Sequence, residues 1–277
     1  MSWFWEALQN APLSVKMIVS IGAPAALALG TGIALAFVKR SGLLTLLLYV
    51  SNTVVSFVIF QMLPDFVREG GPLVGVLIFI LILLITYIFE RFFTLKRAMG
   101  GVPVAVFKSR FLSYLAQKDF DGAMEYCKSQ THSAANILET GLRASAKGSG
   151  ENATIVQNPV EIRRTFEEAL SRETPILERN LVVLTTVASI STMIGLLGTT
   201  IGMIRAFQAM AHAGAPDAVQ LAKGISEALF NTAGGLLCAI FGITANNFFI
   251  NKVDQFTYEI NEAVHDTMDV LETLKKG

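Results

Sequence analysis

Hydrophobic residues in this chain gather into long runs separated by short polar stretches. Leu181–Ala206 and Ile225–Ile250 are joined by a polar connection that includes Gly214-Ala215-Pro216-Asp217. Each run is long enough to cross a hydrocarbon core, which takes about 20 apolar residues. Pro72–Phe93 is a third such run, apolar until Glu90 and Arg91. Met17–Val38, rich in Ala and Gly with Pro24 inside it, is a fourth. Leu43–Leu63 is also uncharged, although Ser51, Asn52 and Thr53 interrupt it, and its length favours a span over an interfacial segment.

Between the third run and the hairpin lies the one sizeable polar region, Leu95–Arg179. There the hydrophobic period becomes that of an amphipathic helix. Val106, Phe107, Phe111, Leu112 and Leu115 mark one helix, and Asp119-Phe-Asp-Gly opens another. Lys147–Asn158 reads as a loop. Asn158-Pro159 reads as a helix start, with Asn as cap and Pro in the first turn. From there Phe166, Leu170, Ile176 and Leu177 keep the period, and no stop follows Pro175. One continuous rod is therefore expected to run into Leu181. In the tail, Val253, Phe256, Ile260, Val264, Met268, Leu271 and Leu274 form a stripe, with Asp254, Glu259, Glu262, Asp266, Asp269 and Glu272 turned away from it.

Basic residues orient the runs. Lys39 and Arg40, Lys96 and Arg97, and Lys252 follow apolar runs, and the positive-inside rule places these ends in the cytoplasm. The N-terminus, the loop before Pro72 and the apex near Ala215 then face the periplasm. The expected fold is an all-α, polytopic membrane helical bundle with long helices extending into the cytoplasm. Its parts are an N-terminal hydrophobic hairpin at 1–71, a transmembrane helix at 72–94, a cytoplasmic helical region at 95–179, a channel-forming hairpin at 180–250 and a cytoplasmic helix at 251–277. No long linker separates them, so the chain reads as one integrated helical unit.

The hairpin runs are not plain lipid-facing helices. Thr185, Thr192 and Thr199 recur at heptad spacing with Ala188, Gly195 and Gly202 between them. The second run carries Ala228, Thr232, Gly235, Ala239, Gly242 and Asn246 on one stripe. Small residues let membrane helices pack closely, and the same seams could line a pore. Thr199 lies 16 residues before Ala215 and Thr232 lies 17 after it, so both hydroxyls fall at nearly one depth. Glu227 stands just inside the second run. An intramembrane carboxylate marks an ion path or a buried partner, whereas a first-turn acid near the headgroups favours the helix dipole.

Composition narrows the function. The chain is 52% hydrophobic and 16% charged, as polytopic membrane proteins are, and its net charge of zero suggests no nucleic acid. Cys127 and Cys238 have neither redox nor metal-ligand spacing. His132, His212 and His265 lie outside the apolar runs and form no metal motif. No catalytic residues, metal site or cofactor are expected, and no polar segment brings together a nucleophile, a base and an orienting group.

Gly195-Leu-Leu-Gly-Thr-Thr-Ile-Gly-Met-Ile-Arg-Ala-Phe207 and Gly224-Ile-Ser-Glu-Ala-Leu-Phe-Asn-Thr-Ala-Gly-Gly-Leu236 resemble the paired signatures of the MotA/TolQ/ExbB proton-channel family, the ExbB/TolQ branch above all. The resemblance runs roughly from Pro72 to the C-terminus, and the first 70 residues stand outside the simplest family pattern. It implies a multi-pass subunit of a bacterial inner-membrane motor driven by the proton-motive force. Five such subunits, a homopentamer, would surround the single membrane helices of two ExbD/TolR-like partners, with a TonB-like transducer as a further partner. By motif position Thr199 and Thr232 match the pore threonines, and Glu227 matches the intramembrane glutamate. Thr185, Thr192, Gly195, Gly202, Gly235 and Ala239 would line the pore. Glu227 could stabilise the wall, relay protons or bond across subunits. The apolar runs of the hairpin hold one acid, Arg205 and no histidine, so the titrating group is expected on the partner, an aspartate by the same resemblance. Competing readings are a passive membrane scaffold, the stator of a motility motor and, less well, a solute transporter, which would show internal repeats and broken helices.

Overall fold

Almost all residues described in the computed structural model are helical. They are residues 50–57, 59, 61, 70–130, 132–147, 154–155, 159–211 and 217–276. Met17–Val38, part of Leu43–Leu63 and the apex at 212–216 lie outside them. The elements in order are α1 (Pro72–Met99), α2 (Val104–Ala116), α3 (Phe120–Ser129), α4 (Ser133–Ser145), α5 (Pro159–Glu178), α6 (Leu181–Ala211) and α7 (Ala218–Lys276). β1 (Ala146–Lys147), which ends where the expected 147–158 loop begins, and β2 (Thr154–Ile155), inside that loop, make a two-residue antiparallel ladder. The fold is an all-α membrane bundle, and among the described residues three helices are long and apolar enough to cross a membrane.

Local chemistry sets the helix ends. Asp119 caps α3, its Oδ1 accepting from the Gly122 amide at 2.8 Å. Asp217 caps α7, its Oδ1 accepting from the amides of Val219 and Gln220 at 3.0 and 3.1 Å. The rod expected through Arg179 is broken. Asn180 takes a left-handed conformation, φ 62°, which ends one helix before the next begins. Asn tolerates that region better than a β-branched or bulky residue does. Its side chain donates to Glu90 Oε2 at 3.3 Å, so a tertiary contact accompanies the break.

The lack of a linker does not keep the chain from dividing into two compact units. One comprises Met1–Arg91 and Asn180–Asn247, the other Phe92–Arg179 and Phe248–Gly277. In the first, α1 buries Val74, Leu77, Ile80, Leu84 and Tyr87. The helical residues 50–57 extend this packing. Ile59 packs with Ile82, Ile78 and Ile85, and the Ser56 hydroxyl donates to the Gly75 carbonyl at 2.9 Å. At the other end of α1's share of the unit, Arg91 is 1% exposed and pairs with Glu90 at 3.0 Å.

The second unit is a helical core around Phe107, Phe111, Leu115, Ile137, Leu138, Ile162 and Phe166, all essentially buried. The inner stripe of α2 differs from the expected one. Val104 is buried while Val106 is 46% exposed and Leu112 half-buried, because Phe107, Phe111 and Leu115 fix the inward face one step round the helix. Phe107 stacks on Tyr126 at 5.3 Å and meets the edge of buried His132 at 4.6 Å. The tail stripe buries Val253, Phe256, Ile260, Met268 and Leu271, with Val264 and Leu274 half-buried. Two of its acids, Glu262 and Asp266, take the Lys108 ammonium at 2.8 Å each. These two hydrogen bonds, the Asp266 one foremost, raise the Lys108 pKa.

Candidate functional site

α6 and α7 close on each other along glycine. A Cβ at Gly235 would lie 2.6 Å from the Ser191 carbonyl oxygen, and one at Gly202 would lie 2.7 Å from that of Gly224. Backbones can come that near only where no side chain intervenes. Ser191, buried, donates to the Ala188 carbonyl at 2.6 Å and also reaches that of Gly235 at 3.3 Å. Gly195, Gly202, Gly235 and Ala239 are thus buried inside one hairpin. The small seam is used first for packing within a single chain.

The threonines differ in their distance from that seam, with Thr232 at its edge against Gly195. Thr185 and Thr192 are exposed, and Thr199 and Thr232 are half-buried. A Cβ at Gly198 would fall 2.3 Å from that of Asn231; the helices run antiparallel, so Thr199 and Thr232 step one residue each in opposite directions and stand within ~3 Å of one level. Their hydroxyls turn to helix backbone, as hydroxyls in apolar surroundings do. Thr199 donates to the Leu196 carbonyl at 2.6 Å, and Thr232 faces that of Gly195 at 3.5 Å. A hydroxyl whose proton is spent this way keeps its lone pairs for an outside donor, a water or a protonated acid.

Glu227 lies nearer the apex. Its side chain is 9% exposed and ion-paired with Arg205 at 2.5 Å. One turn on, fully buried Asn231 donates to the carbonyls of Gly70 and Glu227, both at 2.9 Å. Arg205, Asn231 and Gly70 were not singled out from sequence as members of a site. A signal for the ion pair was present: Arg205 lies ten residues before Ala215 and Glu227 twelve after it, so opposite charges meet across the hairpin. Nothing comparable announces the glycines before α1. Among the described residues no group of three His, Cys, Asp or Glu side chains could hold a metal ion.

The outer faces of the hairpin remain apolar. Met193, Leu196, Leu197, Ile204, Phe207, Leu229, Leu236, Ile240 and Phe241 are exposed. Only about a third of the most apolar window in each hairpin helix is buried within the chain, so lipid or other polypeptides must cover the rest.

The profile of a family described as the MotA/TolQ/ExbB proton channel family matches residues 129–262, which include both hairpin helices. The biopolymer transport protein ExbB of Aquifex aeolicus is 30% identical over 113 residues, 40% of this chain and 76% of that relative. The chain belongs to this family. Other relatives carry ExbB and TolQ names. The putative biopolymer transport protein ExbB-like 3 of Synechocystis is 38% identical over 93 residues, 33% of this chain and 44% of its own length. The Tol-Pal system protein TolQ of Haemophilus influenzae is 35% identical over 108 residues, 39% of this chain and 47% of its own. The chain spans about half the length of these two curated relatives. The profile match begins in sequence at residue 129, later than the Pro72 start expected from the motifs, and so leaves α1 outside it. Family membership and three candidate spans make this ExbB/TolQ-like chain a multi-pass inner-membrane protein.

Proposed function

We propose that this ExbB/TolQ-family chain is the wall-forming subunit of an inner-membrane motor driven by the proton-motive force. Copies assemble as a ring, five by the family pattern, around the single membrane helices of ExbD/TolR-like partners. The observation that carries this reading is the pair Thr199 and Thr232, half-buried at one level and flanked by apolar surface that one chain leaves uncovered. In the family setting their oxygens would meet a protonated carboxyl or water carried by the partner helix. Thr185 and Thr192 extend the hydroxyl line along α6, while Gly195, Gly202, Gly235 and Ala239 keep the wall thin by letting its two helices touch.

The chain's own chemistry supports a shared path. In its hairpin runs the charged side chains are Glu227 and Arg205, and they are paired with each other. Threonine hydroxyls accept and donate hydrogen bonds but do not titrate in the working range. The proton carrier is accordingly an acid of the partner, and the motion it drives would pass to the outer membrane through a TonB-like transducer.

The test is proton flux into liposomes under an imposed pH gradient, comparing this chain alone with the complex purified from its own membranes. Flux confined to a complex that contains a second, single-span polypeptide supports the proposal. Equal leak-level flux in both leaves the passive scaffold, which the glycine packing of the hairpin would serve equally well.

A further inference from the structure

We infer that Arg205 is a positioning residue for Glu227, and that the pair clasps the start of α1 to the hairpin, so that Glu227 acts as a fixed anchor rather than as a proton carrier. This deepens the channel reading and rests on it. Three features of the first unit converge here. The Glu227 carboxylate is almost enclosed and ion-paired with the Arg205 guanidinium. It also sits directly on the backbone before α1. Gly71 has φ 75°, and a Cβ added there would lie 2.3 Å from Glu227 Oε1. No L side chain fits that position without displacing the carboxylate. Asn231, on the same face of α7, holds the Gly70 carbonyl from one turn further along. Glu227 and Asn231 thus grip Gly70 and Gly71 together, while Arg205 closes the arrangement from α6.

The placement argues against a relay. Along α7 Glu227 lies five residues from Thr232, and along α6 Arg205 lies six from Thr199, so the ion pair is displaced by ~8 Å towards the apex. A carrier must turn towards the path and exchange partners in each cycle. The Glu227 carboxylate lies close against Gly71 and is bonded to the Arg205 guanidinium. Its other contribution is geometric: it fixes α1, α6 and α7 relative to one another at the end where the hairpin turns.

A charge-removal cycle tests this. Arg205→Gln, Glu227→Gln, the double variant and Arg205→Lys are each purified as the complex from native membranes. Proton flux per assembled complex and thermal midpoint are then measured. Arg205→Gln strands a nearly enclosed carboxylate and should lower flux by about tenfold or more. The double variant replaces the ion pair by two amides that can bond each other, and should recover to within about threefold of wild type. Arg205→Lys should do the same, and the double variant should keep the wild-type pH profile of flux. A double variant as inactive as Glu227→Gln, with assembly intact, would mean that the carboxyl itself carries protons, and would overturn the inference. If Arg205→Gln does not assemble, restored assembly in the double variant supports the clasp, and its failure too refutes it. If the wild-type complex passes no protons, the channel reading falls by itself. The clasp is then judged on the thermal midpoints, where non-additive single and double shifts support it and additive shifts overturn it.

Discussion

At the scale of single residues, the hairpin divides between glycines and threonines a stripe that is continuous in the sequence. The glycines let helices touch, and the threonines face away from that contact or stand at its edge. Their substitutions should therefore fail differently. Thr199→Val and Thr232→Val keep the volume and lose a hydroxyl whose hydrogen bond in a membrane is worth ~1 kcal/mol. Assembly and thermal midpoint should change little, while flux per complex falls about tenfold, if the hydroxyl holds water or the partner's acid as proposed. Wild-type flux in both variants would return the threonines to simple packing. Gly235→Leu should do the reverse at first, since its side chain would enter the space of the Ser191 carbonyl. Overpacking of this kind costs roughly 1–3 kcal/mol, read as a lower midpoint before any effect on flux is considered.

At the scale of elements, two local devices can be checked without the partner. The break between α5 and α6 depends on Asn180 at φ 62° and on its bond to Glu90. Asn180→Gly keeps the backbone freedom and loses only the side-chain bond, so it should cost about 1 kcal/mol. Asn180→Val adds a β-branched residue in the left-handed region and should cost ~1–2 kcal/mol more, seen as a further drop in thermal midpoint. The other device is His132, whose Nδ1 accepts from the Ala135 amide at 3.2 Å. Its Nε2 is buried without a protein partner. Burial lowers the pKa of the imidazole. Once the chain unfolds, the ring takes up a proton near 6.5 that the folded form resists, so below that pH the unfolded state binds more protons. Stability from this source is full above pH 6.5 and falls as the pH drops, by at most about 1.4 kcal/mol per unit. His132→Asn keeps a capping acceptor and should reduce the difference between midpoints at pH 7 and pH 5. An unchanged difference would place the acid sensitivity elsewhere.

At the scale of the whole molecule, the proposals concern sidedness and number. Both native cysteines are buried. Burial pushes the Cys127 thiol up to about 12, so its background labelling should be slow. Cysteines introduced at exposed Tyr258 and Val219 can then report sidedness. The Lys/Arg distribution expects Tyr258→Cys to react from the cytoplasm and Val219→Cys from the periplasm. Reaction of both from one side would overturn the arrangement. The apolar surface exposed on α6 and α7 should be covered by further copies, so the mass of the detergent-solubilised complex should correspond to a ring, five copies by the family pattern. A monomer would leave that surface to lipid alone.

What the sequence determined by itself was whatever is written in composition and period. Apolar runs of spanning length and basic residues at their ends follow from the cost of placing polar backbone and charge in hydrocarbon, which each run must meet alone, and the helical stripe in the tail follows from burying one face of an otherwise hydrated helix. Family membership was legible for a related reason, since the motifs around Thr199 and Thr232 are contiguous stretches of chain. Tertiary structure decided the rest. Which face of α6 is buried was not fixed by its small residues, because glycine and threonine are both compatible with a seam until the partner helix is in place. The break at Asn180 was hidden because Asn can continue a helix or end it, and it ends one here beside its contact with Glu90. The clasp of Arg205, Glu227, Asn231 and Gly71 joins residues up to 160 positions apart, Gly71 to Asn231. No local pattern encodes such a meeting, because it exists only once three helices have packed.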